Sequence, residues 1–479
     1  MRRFSLTLLA ASLALASGLA SAASNTTIPD AAVKAAEQLR DKAMHDDTGY
    51  QIVSSLTTEV GPRMAGSPAD QRARDWAVAK FKALGFDKVY TEAVTFPLWQ
   101  RRSEHAEIVA PFPQPLVLTA LGYSPGTPKG GLTAQVIQFK SLDALKAADP
   151  AMVKGKIVYI GYRMQRAKDG HDYGMGSAVR TAGPPIAASK GAAGYLLRSA
   201  GTDAHQRIAH TGVTGFRDPD KAIPAAALAN PDADQLERVL GYGKPVTVKL
   251  DLDCGISGEY TGANVIGEIT GSKHPDQVVA IGGHLDSWDP GTGAIDDGAG
   301  VAIAMAAAKL IHDMPQRPDR TIRVIAFANE EMGLWGGRAY ADKHAGEVAR
   351  FQLGTESDFG AGPIWRMSAS VKPEARGAIE QIAKVLAPIG VAYDAKRPGG
   401  GGSDLSQMHA KGMAALSLTQ DGTHYFDWHH TPNDTLDKVD PKELAQNVAV
   451  YATFSYMAAQ ADGDFGSAPG AFAGDGAGE

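Results

Sequence analysis

The chain holds 13 histidines and 53 acidic residues in 479 positions, and five short clusters place them where chemistry needs them. His284-Leu285-Asp286 directly follows the apolar run 277–283. Asp296-Asp297 lies within Gly293-Ala294-Ile295-Asp296-Asp297-Gly298. Asn329-Glu330-Glu331 follows a second apolar run, 321–327, and Ser357-Asp358 follows a third segment starting at Phe351. His429-His430-Thr431 comes after a run near Leu418. Neutral imidazoles mixed with carboxylates form a borderline-hard ligand set, suited to zinc and related divalent ions. A set of His, Asp, Glu, Asp and His exceeds the three protein ligands of a single catalytic zinc. It suits two ions about 3.5–4 Å apart that share a bridging carboxylate. Of two adjacent glutamates, one can bind metal while the other takes a proton from water. Each cluster alone has a plainer reading: Asp286 a turn cap, Glu330-Glu331 an acidic helix start, His430 a structural ring. Their coincidence at strand ends favours the metal reading.

The elements that must hold these residues read as alternating strand and helix. Runs 277–282, 321–327, 351–353 and 414–418 predict strands, and 298–312, 333–344, 373–389 and 441–457 predict helices. Such alternation implies an α/β layered, mostly parallel sheet with helices on its faces. Ligands in such sheets gather outside the carboxyl ends of the strands. Upstream, 31–48 and 70–84 read as amphipathic helices and 89–96 as a strand. Between 118 and 262 the texture changes to short apolar runs (134–139, 156–160, 194–197) among glycine-rich turns, a β-rich module without chemistry of its own. Gly463 to Glu479 is rich in Gly, Ala and Asp and reads as a flexible tail.

Composition narrows the class further. With 44% hydrophobic residues and a net charge of −6, the chain has ample core, and neither disorder nor general nucleic-acid binding is expected. The single cysteine, Cys254, excludes an internal disulfide framework. Met1-Arg2-Arg3, the apolar stretch 6–19 and Ala20-Ser21-Ala22 read as a cleaved secretory signal over 1–22. The mature protein is then secreted or periplasmic, with no stable membrane anchor.

These motifs resemble the M28 family of zinc metallopeptidases, in a carboxypeptidase branch. The resemblance runs through Gly283-His284-Leu285-Asp286-Ser287-Trp288, the Asp296-Asp297 loop, Asn329-Glu330-Glu331-Met332-Gly333-Leu334, Ser357-Asp358, and His429-His430-Thr431 with Asp434-Thr435. It implies two Zn(2+), bridged by Asp296. Glu331 and His430 would complete one site, and His284 and Asp358 the other. Glu330 would be the general base, and Asp286 would hold the His284 ring by a hydrogen bond. The Asp296–Asp297 bond is expected to be cis. Where many relatives carry a Tyr before the last histidine, His429 stands here, and it would stabilise the oxyanion, with Tyr425 as competitor. Gly399–Gly402 with Ser403-Asp404 resembles a flexible loop on the substrate side.

The implied architecture is a zinc-exopeptidase-type α/β fold, a mostly parallel mixed sheet flanked by helices with an inserted β-rich protease-associated domain. Its segments would be 23–117 (first part of the catalytic domain), 118–262 (insert), 263–462 (catalytic core) and 463–479 (tail). The implied activity is hydrolysis of dipeptides or short peptides, as a carboxypeptidase or dipeptidase, with a homodimer as the assembly. An M28 aminopeptidase is the alternative within the class. A non-catalytic binding ectodomain is the alternative outside it.

Overall fold

A computed structural model describes residues 25–216 and 218–475. The signal expected over 1–22 lies outside the described residues. The apolar runs become the centre of one large mixed sheet. His274–His284 pairs in parallel with Arg320–Phe327 on one side and Phe351–Glu356 on the other. Phe351–Glu356 in turn runs parallel to Ala415–Gln420, beyond which Ile364–Ser370 pairs antiparallel. The central strands are uninterrupted Val, Ile and Ala because both of their faces are covered. Val279 and Ile281 face a cluster that includes helices Asp30–Ala43, Thr48–Glu59, Ala299–His312 and Pro441–Ala459. Val278, Ala280 and Phe327 face Trp335–His344 and Leu405–Lys411.

The strand Thr247–Ile269 joins the two halves of the molecule. One end pairs with Arg320–Phe327, the other with Leu132–Phe139, and Lys88–Ala110 lies antiparallel along almost its whole length. Sequence periodicity finds only residues 89–96 of this 23-residue strand. Its outer half alternates in Arg, Ser, Glu and His and is half in solvent, so it reads as polar. Beyond the join, Leu132–Phe139, Ile157–Ile160, Gly194–Arg198 and Ala225–Leu228 run parallel, with helix Tyr173–Ser189 between the second and third and helix Asn230–Leu240 after the last. The stretch expected to be a β-rich module thus repeats the strand–helix alternation of the rest.

The described part of the expected flexible tail is docked. Phe465 is fully buried, its carbonyl accepts the Lys372 N–H at 3.0 Å, and Phe472 stacks on His409. Two buried or packed aromatics outweigh the glycine-rich composition that suggested mobility. Cys254 is buried, and burial pushes its thiol up to about 11, consistent with a small apolar side chain. No helix among the described residues is long and apolar enough to cross a membrane.

The corner that matters for the site is where His274–His284 ends, helix Ala299–His312 begins and Phe351–Glu356 passes. A Cβ on Gly283 would stand 2.5 Å from Asp297 Oδ2, and one on Gly300 would stand 1.9 Å from the Ser357 carbonyl oxygen. Only glycine lets the three backbones meet so closely. Gly300→Ala is therefore expected to destabilise the fold by about 1–3 kcal/mol in urea unfolding. Gly346→Ala, with nothing within 4 Å of the new Cβ, should stay within about 0.5 kcal/mol of wild type.

Candidate metal centre

The loop after strand His274–His284 is shaped by one carboxylate and one guanidinium. Asp434 accepts the backbone N–H groups of Ala294 and Ile295 at 2.7 Å and of Asp296 at 3.2 Å. This clamp fixes the peptide that carries Asp296. Burial, reinforced by the nearby Asp296 charge, pushes the Asp434 carboxyl up to about 7 against the pull of those amides. The fully buried Arg63 donates to the carbonyls of Leu285, Thr292 and Gly293, stitching both ends of the same loop. Asp297 turns away from the site, accepting the N–H groups of His284 and Gly300, each at 3.0 Å. The Asp296–Asp297 bond is cis.

Asp296 stands between two imidazoles. His284 Nε2 lies 3.1 Å from its Oδ1 and 3.5 Å from Asp358 Oδ1. His430 Nε2 lies 3.2 Å from Asp296 Oδ2 and 2.9 Å from Glu331 Oε2. The other ring nitrogen of each histidine is already committed. His284 Nδ1 donates to the Asp286 carbonyl at 3.0 Å, and His430 Nδ1 to the Thr211 carbonyl at 3.2 Å. In the neutral tautomers these bonds select, each Nε2 presents a lone pair to carboxylate oxygens. Both oxygens of Asp296 thus face an imidazole Nε2 in a buried setting, where a bound cation would satisfy ring and carboxylate together. Glu331 Oε1 and Asp296 Oδ2 have no hydrogen-bond partner. The residues therefore fit two borderline-hard divalent ions. Asp296, Glu331 and His430 would hold one, and His284, Asp296 and Asp358 the other.

The structure thus brings together His284, Asp296, Glu331, Asp358 and His430 as the sequence expects. It places Asp286 differently. Its main-chain carbonyl, not its carboxylate, holds the His284 ring, and the carboxylate oxygen is 3.7 Å from Nδ1. That oxygen instead accepts the Glu330 N–H at 3.0 Å, so Asp286 orients the Glu330 backbone. Asn329, immediately before, adopts a left-handed φ of 54°, and His430 one of 60°. Such left-handed residues carry backbone strain that functional sites commonly store. Glu330 is half-buried among carboxylates. Burial, with the Asp358 and Glu331 charges adding, lifts it well above the usual carboxylate range.

His429 stacks on His430 with ring centroids 3.5 Å apart, and its Nε2 lies 3.4 Å from Asp296 Oδ2. Burial and the adjoining His430 charge hold it well below the ordinary imidazole value. Tyr425, the competing candidate, packs its ring 5.0 Å from that of His429. Ser403 donates a short hydrogen bond to Asp358 Oδ2. The glycine run before it is laid against the sheet, Gly399 donating to Ser370 Oγ, Gly400 to Ser417 Oγ and Gly401 accepting from Glu356. This loop therefore supports Asp358 from behind.

Several supporting groups have no sequence signature. Arg63 sits in Gly61-Pro62-Arg63, which reads as a turn. Thr211 and His210 belong to the stretch between 118 and 262. His210 Nδ1 donates to the His429 carbonyl at 2.7 Å, and burial pushes its imidazole down to about 4. The Tyr173 ring meets that of His429 edge-on at 5.1 Å. The stretch without ligand spacing therefore supplies one wall of the site.

Comparison with known proteins agrees with this geometry. The model of peptidase family M28 matches residues 264–455. Carboxypeptidase Q of Bos taurus is 33% identical over 86% of this chain and 85% of its own length. A solved peptidase M28 precursor from Shewanella amazonensis is 51% identical, covers 90% of this chain and 97% of its own, and superposes with a TM-score of 0.87. An aminopeptidase from Aneurinibacillus shares the fold at 22% identity and a TM-score of 0.62, over 91% of this chain and 98% of its own. From its motifs, its sheet and its relatives, the chain belongs to peptidase family M28.

Proposed function

We propose that this chain is a secreted di-zinc exopeptidase that removes residues from short peptides carrying a free carboxyl terminus, dipeptides above all. The observation that carries the metal count is the pair of imidazole Nε2 atoms facing opposite oxygens of one buried carboxylate, Asp296. The relatives named carboxypeptidase Q, which match most of the chain, support the substrate end. The leader 1–22 supports export, the division at 117/118 and 262/263 follows the resemblance, and a homodimer belongs to the same reading.

Zinc, when bound, supplies a Lewis acid that polarises the scissile carbonyl and acidifies water near neutral pH. The chain's own residues do the rest. Asp434 and Arg63 fix the loop so that Asp296 turns one oxygen to each imidazole, where it would help to hold the ions. The Asp286 and Thr211 carbonyls hold the imidazole tautomers that leave Nε2 free to ligate. Glu330 takes the proton of the attacking water and returns it to the leaving amine. Burial among carboxylates raises its affinity for a proton, which favours taking one from water. His429 in the neutral form donates a hydrogen bond to the developing oxyanion. Asp358 is kept in place by Ser403.

Glu330→Gln is expected to retain both zinc ions by elemental analysis while turnover falls roughly 100- to 10,000-fold. Near-normal turnover would remove Glu330 from the role of base. Asp296→Ala should bind no zinc stoichiometrically, and a variant that still carries two ions would refute the bridge. An N-acetylated dipeptide should be cleaved by the wild type, whereas a strict aminopeptidase would leave it intact.

A further inference from the structure

Among the described residues four that are not glycine take a left-handed backbone: Tyr123, Asn329, Leu334 and His430, with φ of 63°, 54°, 58° and 60°. That conformation is costly for a residue with a Cβ, most of all a bulky one, and it persists where the surroundings over-determine it. Three of the four belong to the segments that carry Glu330, Glu331 and His430. Tyr123 alone belongs to the stretch 118–262, and its side chain leads back to the same place.

The turn 329–335 holds three left-handed residues, Asn329, Gly333 and Leu334, in seven positions. The Glu330 N–H donates to Asp286 Oδ1 at 3.0 Å, and the Glu330 carbonyl accepts from the N–H groups of Gly333 and Leu334 at 2.7 and 2.8 Å. The Met332 carbonyl, next after Glu331, is held by side chains. It accepts from the Tyr123 hydroxyl at 2.8 Å and from Trp335 Nε1 at 3.2 Å, and Trp335 Nε1 also donates to the Tyr123 hydroxyl at 3.0 Å. Tyr123 is itself fixed on both sides. The Gly122 N–H donates to the Gly212 carbonyl at 3.0 Å, the Gly122 carbonyl accepts from Thr214 at 3.0 Å, and the Ser124 N–H donates to the Leu121 carbonyl at 2.9 Å. A Cβ on Gly122 would stand 2.9 Å from Met332 Sδ, so this backbone lies directly against the turn. A strained turn relaxes when a tie is lost, and a small displacement of a reacting group is enough to slow a reaction.

We infer that Tyr123 is a positioning residue for the reaction: its hydroxyl, through the Met332 carbonyl, holds the turn that sets where the Glu330 carboxylate stands. The inference rests on the proposed reading of Glu330 as the base and names the group in 118–262 that keeps it in place. The Tyr123 hydroxyl is committed to Met332 and Trp335, so it acts by placement and not by proton transfer.

The test is a double-mutant cycle on the full-length, zinc-loaded enzyme with alanylleucine as substrate, zinc content being measured on every variant. Tyr123→Phe, which removes only the hydroxyl, should lower kcat about 10- to 100-fold with KM within about twofold and zinc retained. In the Glu330→Gln background the same change should lower kcat by no more than about twofold, because the group it positions is already gone. Tyr195→Phe is the control. It removes another phenol–carbonyl bond in the same half of the molecule, to Val179 at 2.9 Å, and should leave kcat within about twofold of wild type. Unchanged kcat in Tyr123→Phe, loss of zinc along with kcat, an equal fall in Tyr195→Phe, or an equal fall in the Glu330→Gln background would each overturn the assignment. If Tyr123→Phe does not fold, Trp335→Phe, which removes the donor to the same hydroxyl and carbonyl, is judged by the same outcomes. Full turnover in Glu330→Gln alone would instead refute the reading of Glu330 as base.

Discussion

Buried like charge is the constraint around which the structure is arranged. Asp286, Asp296, Asp297, Glu331 and Asp434 are all buried within one corner of the sheet, with Glu330 and Asp358 at its rim and Glu356 and Asp404 just behind. Carboxylates in such proximity repel each other and lose their hydration. The fold answers with main-chain N–H groups more than with cationic side chains. Asp434 takes three amides, Asp297 and Glu356 two each, and Asp404 that of Gly337. Loops at strand ends and the start of helix Ala299–His312 are where unspent N–H groups accumulate. The same geometry that forms the site therefore makes its charge tolerable. The oxygens left over include Asp296 Oδ2 and Glu331 Oε1 beside the histidines, which a metal would neutralise, and Asp286 Oδ2, Glu356 Oε1 and Asp404 Oδ2 around them.

The ligand residues were legible because each sits directly after a run of apolar residues. An abrupt change from Val, Ile and Ala to His, Asp or Glu marks both the end of a strand and the edge of a parallel sheet. The helices around the sheet were legible for the complementary reason, since alanine-rich stretches such as 299–308 have nowhere to go but inside. The residues that hold the ligands were not legible. Asp434 acts through main-chain amides 138 to 140 positions away, and Arg63 through carbonyls more than 220 away. Neither distance leaves a local pattern. The role of Asp286 was legible in position but not in atom, since carboxylate and carbonyl of one residue are indistinguishable in a sequence.

Composition misled where glycine was abundant. Residues 399–402 and 463–475 both look mobile by content, yet both are laid down by hydrogen bonds and, in the second case, by Phe465 and Phe472. Glycine is needed in the first for close approach: a Cβ on Gly399 would meet the Ala415 carbonyl oxygen at 2.6 Å, and one on Gly402 the Glu356 side chain at 2.7 Å. A glycine run can mark crowding as readily as freedom.

The carbonyl of Thr211 bears on how this enzyme can be divided. Read as a cassette, residues 118–262 would invite trimming to a minimal catalytic fragment. But that carbonyl fixes a ligand ring, His210 secures the backbone of His429, and strand Thr247–Ile269 is woven into the sheets of both halves. Excision would leave His430 free to rotate about its side-chain bonds and would expose an edge of the central sheet. The change of texture along the sequence suggests modules, and the hydrogen bonds of the folded chain run across that division. Residues 118–262 orient the last histidine as well as flank it, so the site is completed only by the whole chain.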